Sequence, residues 1–210
     1  MRLRKVKNIE EKIKQFADVI VFDSQIKKGK WNEVFGNDNP IYLEIGTGKG
    51  NFIVTHAVKF PHVNFIGCEV SNSIIYKAAM KGRNIPNLRF INIDASLLQE
   101  VFIKGEIAQI YLNFSDPWPK TRHEKRRLTS PSFLEQYQRL LKDQGIIELK
   151  SDNQHFFEYS LMKFNEQKWD FLELNLDLHK EAVIEIITTE YEEKFKEIGK
   201  TIYYVKVRIK

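Results

Sequence analysis

Short apolar runs alternate with stretches of helical period along most of this chain, and that alternation restricts the fold more than any other feature. IYLEIG (Ile41 to Gly46) is a short apolar run closed by glycine, which predicts a buried strand. Asn51 to Lys59 places Phe52, Thr55, Val58 and Lys59 at helical intervals, and Pro61 stops the helix. VNFIGCEV (Val63 to Val70), LRFINID (Leu88 to Asp94), IAQIYLNF (Ile107 to Phe114) and GIIELKSD (Gly145 to Asp152) predict the next four strands. Helices are predicted from Ser73 to about Arg83, capped by Ser71 or Asn72, and from Gln154 to Glu166. A further helix spans Pro131 to Leu141, with Ser130 as N-cap and proline at the first helical position. Trp169 to Leu176 and Thr201 to Ile209 lack a clear helix between them, so they are expected to pair antiparallel at one edge. This order predicts an α/β fold with a mostly parallel sheet covered on both faces. One domain over residues 1–210 is expected, its first forty residues a basic N-terminal extension with one amphipathic helix.

The composition is that of an ordinary globular chain, with 42% hydrophobic and 29% charged residues. No apolar stretch is long enough to span a membrane. The basic N-terminus MRLRKVKNIEEKIK lacks the apolar core of a secretory signal. Cys68 is the single cysteine, which excludes a disulfide framework and fits a reducing cytoplasm. The five histidines are scattered without metal-ligand spacing, so no metal is expected. Basic residues concentrate at Arg2 to Lys14, Lys27 to Lys30 and Lys120 to Arg127, within a net charge of +5. Such clustering favours a polyanionic partner, most plausibly nucleic acid, although solvated faces and a frayed terminus would cluster in the same way.

Open parallel sheets bind ligands outside the carboxyl ends of their strands, so the residues that end each strand carry the chemistry. The first strand runs into E-I-G-T-G-K-G, with Glu44, Gly46, Gly48 and Gly50 at alternate positions. Its glycines allow a tight turn and close approach of a ligand. The spacing is neither the dinucleotide G-x-G-x-x-G nor a phosphate-cradling P-loop. The second strand ends at Glu69, nineteen residues after Gly50, where a carboxylate can accept both hydroxyls of a ribose. The third ends in Asn92-Ile93-Asp94, either of whose polar side chains could meet an adenine amino group. Asp94 has a plainer reading as the cap of the following turn. Three acids at three consecutive strand ends favour a nucleoside site. E-x-G-x-G-x-G resembles the first motif of class I S-adenosylmethionine-dependent methyltransferases, in which that carboxylate helps position the methionine end of the cofactor.

The fourth strand stops at Ser115-Asp116-Pro117, and Pro117 and Pro119 stiffen the segment. Asp116 is expected to project toward the methyl group, with Trp118 as a wall for a flat ligand or as loop packing. Three acceptors differ in what they require. An exocyclic amino group calls for the N-P-P-[YF] arrangement, and a carbon acceptor usually calls for a nucleophilic cysteine, for which Cys68 lies in the wrong strand. A ring nitrogen such as guanine N7 carries a free lone pair, and a carboxylate would orient the base and offset its developing charge.

N-F-S-D-P-W-P-K (Asn113 to Lys120) followed by R-H-x-K-R-R (Arg122 to Arg127) closely resembles the signature of the tRNA (guanine-N7-)-methyltransferases. E-I-G-T-G-K-G, Gly67-Cys68-Glu69, L-K-S-D (Leu149 to Asp152) and T-E-Y-E (Thr189 to Glu192) follow in the family's order, from about Tyr42 onward. The resemblance implies a Rossmann-like class I methyltransferase fold with a mostly parallel seven-stranded sheet. It implies methyl transfer from S-adenosylmethionine to N7 of guanosine in the tRNA variable loop. Glu44, Gly46, Gly48, Glu69, Asn92, Asp94 and Asp116 would hold the cofactor, with Asp116 the catalytic residue. Lys120, Asp152, Thr189, Glu190, Tyr191 and Glu192 would contact substrate, and Arg122, His123, Lys125, Arg126 and Arg127 would bind RNA. The basic run is expected to be mobile without RNA because like charges repel, and Thr189 to Glu192 would have to fold back to the end of the fifth strand. The implied partner is tRNA, with no membrane and no metal, and the protein a cytoplasmic monomer or homodimer. Competing readings are an amino methyltransferase, against which Asp116-Pro117-Trp118 argues, and a non-catalytic RNA-binding domain, against which the full set of strand-end acids argues. A nicotinamide dehydrogenase fits the loop spacing least.

Overall fold

The computed structural model describes residues 7–180, 188, 189, 192, 195 and 198–210. The described residues include seven strands, and the chain divides into two compact units, residues 1–101 and 102–210.

The first unit holds β1 (Ile41–Ile45), β2 (Asn64–Cys68) and β3 (Leu88–Ile91), all paired in parallel. These short strands are buried almost throughout, as near-continuous apolar runs require when both faces of a parallel sheet are covered. Four longer helical stretches accompany them: α1 (Ile9–Lys14), α2 (Trp31–Phe35), α3 (Asn51–Lys59) and α4 (Asn72–Gly82). The bounds of α3 are those its apolar spacing predicts. Residues 7–40 are not an appended arm. The stretch around Ile20 bridges the outer edge of β3, where Val21 N–H donates to the Phe90 carbonyl (2.8 Å) and Phe90 N–H to that of Val19 (2.8 Å). An otherwise open sheet edge is thereby paired. Trp31 is fully buried, and its indole N–H donates to the Val101 carbonyl at 3.1 Å. A 3₁₀ turn over Ala95–Leu97 and the short helix α5 (Leu98–Val101) complete the unit.

The second unit begins with β4 (Ile107–Asn113), buried along its whole length. It continues with α6 (Pro131–Leu140), β5 (Leu141–Ser151), α7 (Gln154–Glu166), β6 (Asp170–Asn175) and β7 (Tyr203–Arg208). β5 starts at Leu141 rather than Gly145, with an irregular register where Ile107 faces Leu141 but Gln109 faces Ile146. Gln144, in the left-handed region at φ 63°, absorbs that bulge. β7 is antiparallel to both β5 and β6. The expected antiparallel pair of late strands is present, but the last strand lies inside it and β6 forms the edge.

Gly50 shows how tightly the first unit packs. It caps α3 at φ 79°, and a Cβ there would stand 2.9 Å from the Ala78 Cβ of α4. Gly36 has a similar φ of 71° but nothing within 4 Å of a built Cβ. In urea unfolding, Gly36→Ala is expected to cost about 1–2 kcal/mol for the left-handed backbone alone. Gly50→Ala should cost about 1–3 kcal/mol more, from overpacking; equal losses would contradict the packing role.

Candidate functional site

In the first unit, strand register assembles the site. Ile45 pairs with Cys68 and Cys68 with Ile91, so the next residues, Gly46, Glu69 and Asn92, leave the sheet in one row. Gly46 and Gly48 follow at φ 77° and 56°, and a Cβ on Gly46 would meet nothing within 4 Å. Glycine at Gly46 is therefore a backbone requirement with open space above it, which suits approach by a ligand. Gly46 and Thr47 N–H both donate to the Cys68 carbonyl, at 2.9 and 3.0 Å, tying the loop to β2.

The acids are fixed in place. Glu44 is 2% exposed and accepts a 2.6 Å hydrogen bond from the Thr47 hydroxyl. Glu69 is 8% exposed; it accepts from Gly48 N–H at 3.2 Å on Oε2 and from Ser71 N–H at 2.9 Å on Oε1. Each oxygen of Glu69 is thus oriented by a backbone N–H. Asn92 donates its amide to the Glu69 carbonyl at 2.7 Å, which leaves its oxygen directed by that contact. Asp94 acts as a cap through one oxygen. Its Oδ1 accepts from Ser96 N–H (2.8 Å) and the Ser96 hydroxyl (2.6 Å), and these two bonds lower its pKa. It is exposed and caps the turn that follows β3. The buried thiol of Cys68 has its pKa raised, by desolvation first and by the nearby Glu69 and Asp94 charges next. Burial and a raised pKa both disfavour the thiolate there.

In the second unit, Asn113 pairs with Lys150, and Phe114 N–H donates to the Lys150 carbonyl at 2.9 Å. The chain then enters two left-handed residues that are not glycine, Phe114 (φ 51°) and Trp118 (φ 41°). Each costs on the order of 1–3 kcal/mol, and such strain collects at functional sites. Asp116 lies between them and is exposed. Among the described residues, no hydrogen bond or ion pair reaches its carboxylate.

Residues Thr121–Arg126 form a 3₁₀ turn that starts from Lys120. The Arg126 guanidinium lies 4.8 Å from the Trp118 ring centroid and the His123 ring 5.7 Å from it, so Trp118 packs the turn. Lys120, Arg122, Lys125 and Arg126 are exposed, whereas Arg127 is half-buried. Arg127 donates through Nε to the Pro117 carbonyl (3.2 Å) and to the Trp118 carbonyl (3.3 Å), and through Nη2 to the latter (3.1 Å).

Asp152 follows β5 and pairs with Lys200, whose ammonium lies 4.4 Å from the Phe195 ring centroid. Thr189 and Glu192 do return to the end of β5. Glu192 N–H donates to the Thr189 hydroxyl (3.0 Å), and Thr189 N–H donates to Glu192 Oε2 (3.2 Å), a reciprocal capping box. Glu192 is fully buried, accepts from the Lys150 ammonium at 3.1 Å on both oxygens, and lies 3.3 Å from His179 Nε2. Its oxygens therefore anchor the segment. Glu190 and Tyr191 lie outside the described residues. The Lys150–Glu192 pair escaped the sequence reading, although a lysine buried in a strand demands an acid and T-x-x-E is itself the capping-box pattern.

Among the described residues, no cluster of His, Cys, Asp or Glu is arranged to hold a metal, and no helix is long and apolar enough to cross a membrane. A family model described as a putative methyltransferase matches residues 38–205. A tRNA (guanine-N(7)-)-methyltransferase of Geobacillus sp. (strain WCH70) is 48% identical over 210 residues, covering 99% of this chain and 96% of the relative. One of Listeria monocytogenes serovar 1/2a is 47% identical, covering 99% and 98%. Among solved structures, the 16S rRNA methyltransferase KamB superposes with a TM-score of 0.66 at 12% identity, over 86% of this chain and 93% of that one.

Removing one member of a buried ion pair typically costs about 3–5 kcal/mol. Glu192→Ala and Lys150→Met are each expected to lose about that much in urea unfolding, and the combined Lys150→Met/Glu192→Leu variant to recover most of it. Single variants within about 1 kcal/mol of the parent would contradict the anchoring role.

Proposed function

We propose that this chain, which belongs to the tRNA (guanine-N(7)-)-methyltransferase family, methylates N7 of guanosine in the variable loop of tRNA, as a cytoplasmic enzyme. The observation that carries the reading is Asp116. Glu44, Glu69, Asp94, Asp152 and Glu192 all have partners, whereas Asp116 is exposed, uncommitted among the described residues, and held between two strained aromatic residues.

The first unit fits S-adenosylmethionine. Gly46 and Gly48 offer open backbone, Glu69 is oriented to accept ribose hydroxyls, and Asn92 offers an oriented amide beside the adenine end. Glu44, buried and bonded to Thr47, would hold the methionine end of the cofactor. When bound, this cofactor supplies an electrophilic methyl group. Guanine N7 has a free lone pair at neutral pH, so the acceptor requires orientation and charge stabilisation rather than deprotonation. Asp116 can accept from guanine N1–H and the exocyclic amino group, fixing the ring and offsetting the positive charge that develops on the purine. Lys120, Arg122, Lys125 and Arg126, all exposed beside that loop, would set the register of tRNA through phosphates without reading sequence. The target base would be turned out to Asp116. Thr189 and Glu192 support substrate contact by holding their segment at the end of β5.

Incubation with labelled S-adenosylmethionine and unmodified tRNA, followed by nucleoside digestion, is expected to give N7-methylguanosine mapped to the variable loop. A product methylated on an amino group, or none from a competent tRNA, would refute the reading. Asp116→Ala should lower kcat by about 10²-fold or more, the scale of losing one preorganised electrostatic contact. Cofactor affinity measured by calorimetry should stay within a few-fold.

A further inference from the structure

We propose that Arg127 positions Asp116 by clamping the strained Pro117–Trp118 backbone, and is not one of the residues that grip tRNA phosphate. The inference rests on the reading above that Asp116 orients the acceptor base.

The six-residue stretch Arg122 to Arg127 looks uniform in sequence, and the structure separates its last member from the rest. Arg127 is half-buried while Arg122, Lys125 and Arg126 are exposed. Its Nε and Nη2 form one of the two forks of a guanidinium that match a phosphate bidentately. That fork is already occupied by the Pro117 and Trp118 carbonyls, at 3.1 to 3.3 Å. The face of the guanidinium is occupied too, with its carbon 4.3 Å from the Tyr159 ring centroid on α7. Tyr159 is itself held, donating its hydroxyl to Glu124 at 2.9 Å. Arg127 N–H donates to the Glu124 carbonyl at 3.0 Å, closing the loop onto itself.

This arrangement addresses a specific difficulty. Trp118 at φ 41° is in a conformation that a non-glycine residue leaves unless something holds it. Two carbonyls turned toward one rigid fork supply that hold, and the planar guanidinium stacked on an α7 side chain ties the fork to a helix. Lysine cannot reproduce it, because an ammonium is a point donor without a planar fork. Asp116 directly precedes the clamped pair, so its direction depends on the clamp.

The test compares Arg127→Ala, Arg127→Lys and Tyr159→Leu with Lys125→Ala and Arg126→Ala. Both Arg127 variants and Tyr159→Leu are expected to lower single-turnover methyl transfer at least tenfold, with tRNA Kd within twofold. The slope of log Kd against log salt should stay unchanged. In an Asp116→Ala background, Arg127→Ala should cause no further loss, since it acts through that carboxylate. Hydrogen exchange over residues 114–120 should accelerate in Arg127→Ala but not in Arg126→Ala, with exchange in α6 unchanged as the sign that the fold persists. Wild-type rates for Arg127→Ala, or weaker tRNA binding with the salt slope reduced by roughly 0.7–0.9 as for one lost phosphate contact, would overturn the proposal. So would unchanged exchange over residues 114–120. Absence of N7-methylguanosine with the wild-type protein would instead refute the function, and the exchange comparison would still decide the clamp.

Discussion

Parallel strands that begin at the same edge also end at the same edge, and the functional half of each unit follows from that constraint. Once Ile45, Cys68 and Ile91 share a register row, Gly46, Glu69 and Asn92 must leave the sheet side by side. The polar groups at those exits satisfy each other first. Gly48 and Ser71 N–H orient Glu69, and Asn92 binds the Glu69 carbonyl. The directions of these acceptors are therefore set before any ligand arrives, which lowers the ordering cost of binding there. In the second unit the same exit places Asp116 after β4 and Asp152 after β5.

Buried and exposed acids are accommodated differently. Buried carboxylates are costly unless bonded, and Glu44, Glu69 and Glu192 are each bonded. Asp116 avoids that cost by exposure and instead depends on a strained backbone for its direction. Pro117 and Pro119 limit the alternatives of that backbone, and the Arg127 fork holds the two carbonyls between them. Phe114, at the other end, packs with Phe195 at 6.0 Å between ring centroids, against the cluster of Leu178, Ile202 and Tyr204.

Much of this was legible in the sequence because it depends on local pattern. Seven apolar runs gave the strands, and the helices Asn51–Lys59 and Gln154–Glu166 fall at their expected bounds, the first stopped by Pro61 and the second capped in the structure by Asn153. Asp116 stood out because two prolines and a basic run surround it. What the sequence hid depends on long-range pairing. Trp31 reads as an ordinary residue of a basic extension until its partner Val101, seventy positions away, is known. Lys150 is 42 residues from Glu192 and pairs with it only through the fold. Arg127 differs from Arg126 by one position in sequence, and only the direction of its fork distinguishes them. The sequence allows Asp94 as a cap, and the fold adds its partner, with Ser96 N–H and hydroxyl donating to Oδ1.

The central claim is that a guanine presents N7 to the methyl donor while Asp116 holds its opposite edge. The most direct measurement is methyl transfer to a tRNA that carries 7-deazaguanosine in place of the target guanosine. That base keeps N1–H and the amino group but has carbon in place of N7. The account predicts binding like that of unmodified tRNA and no transfer. Transfer at a normal rate, or loss of binding without transfer, would contradict it.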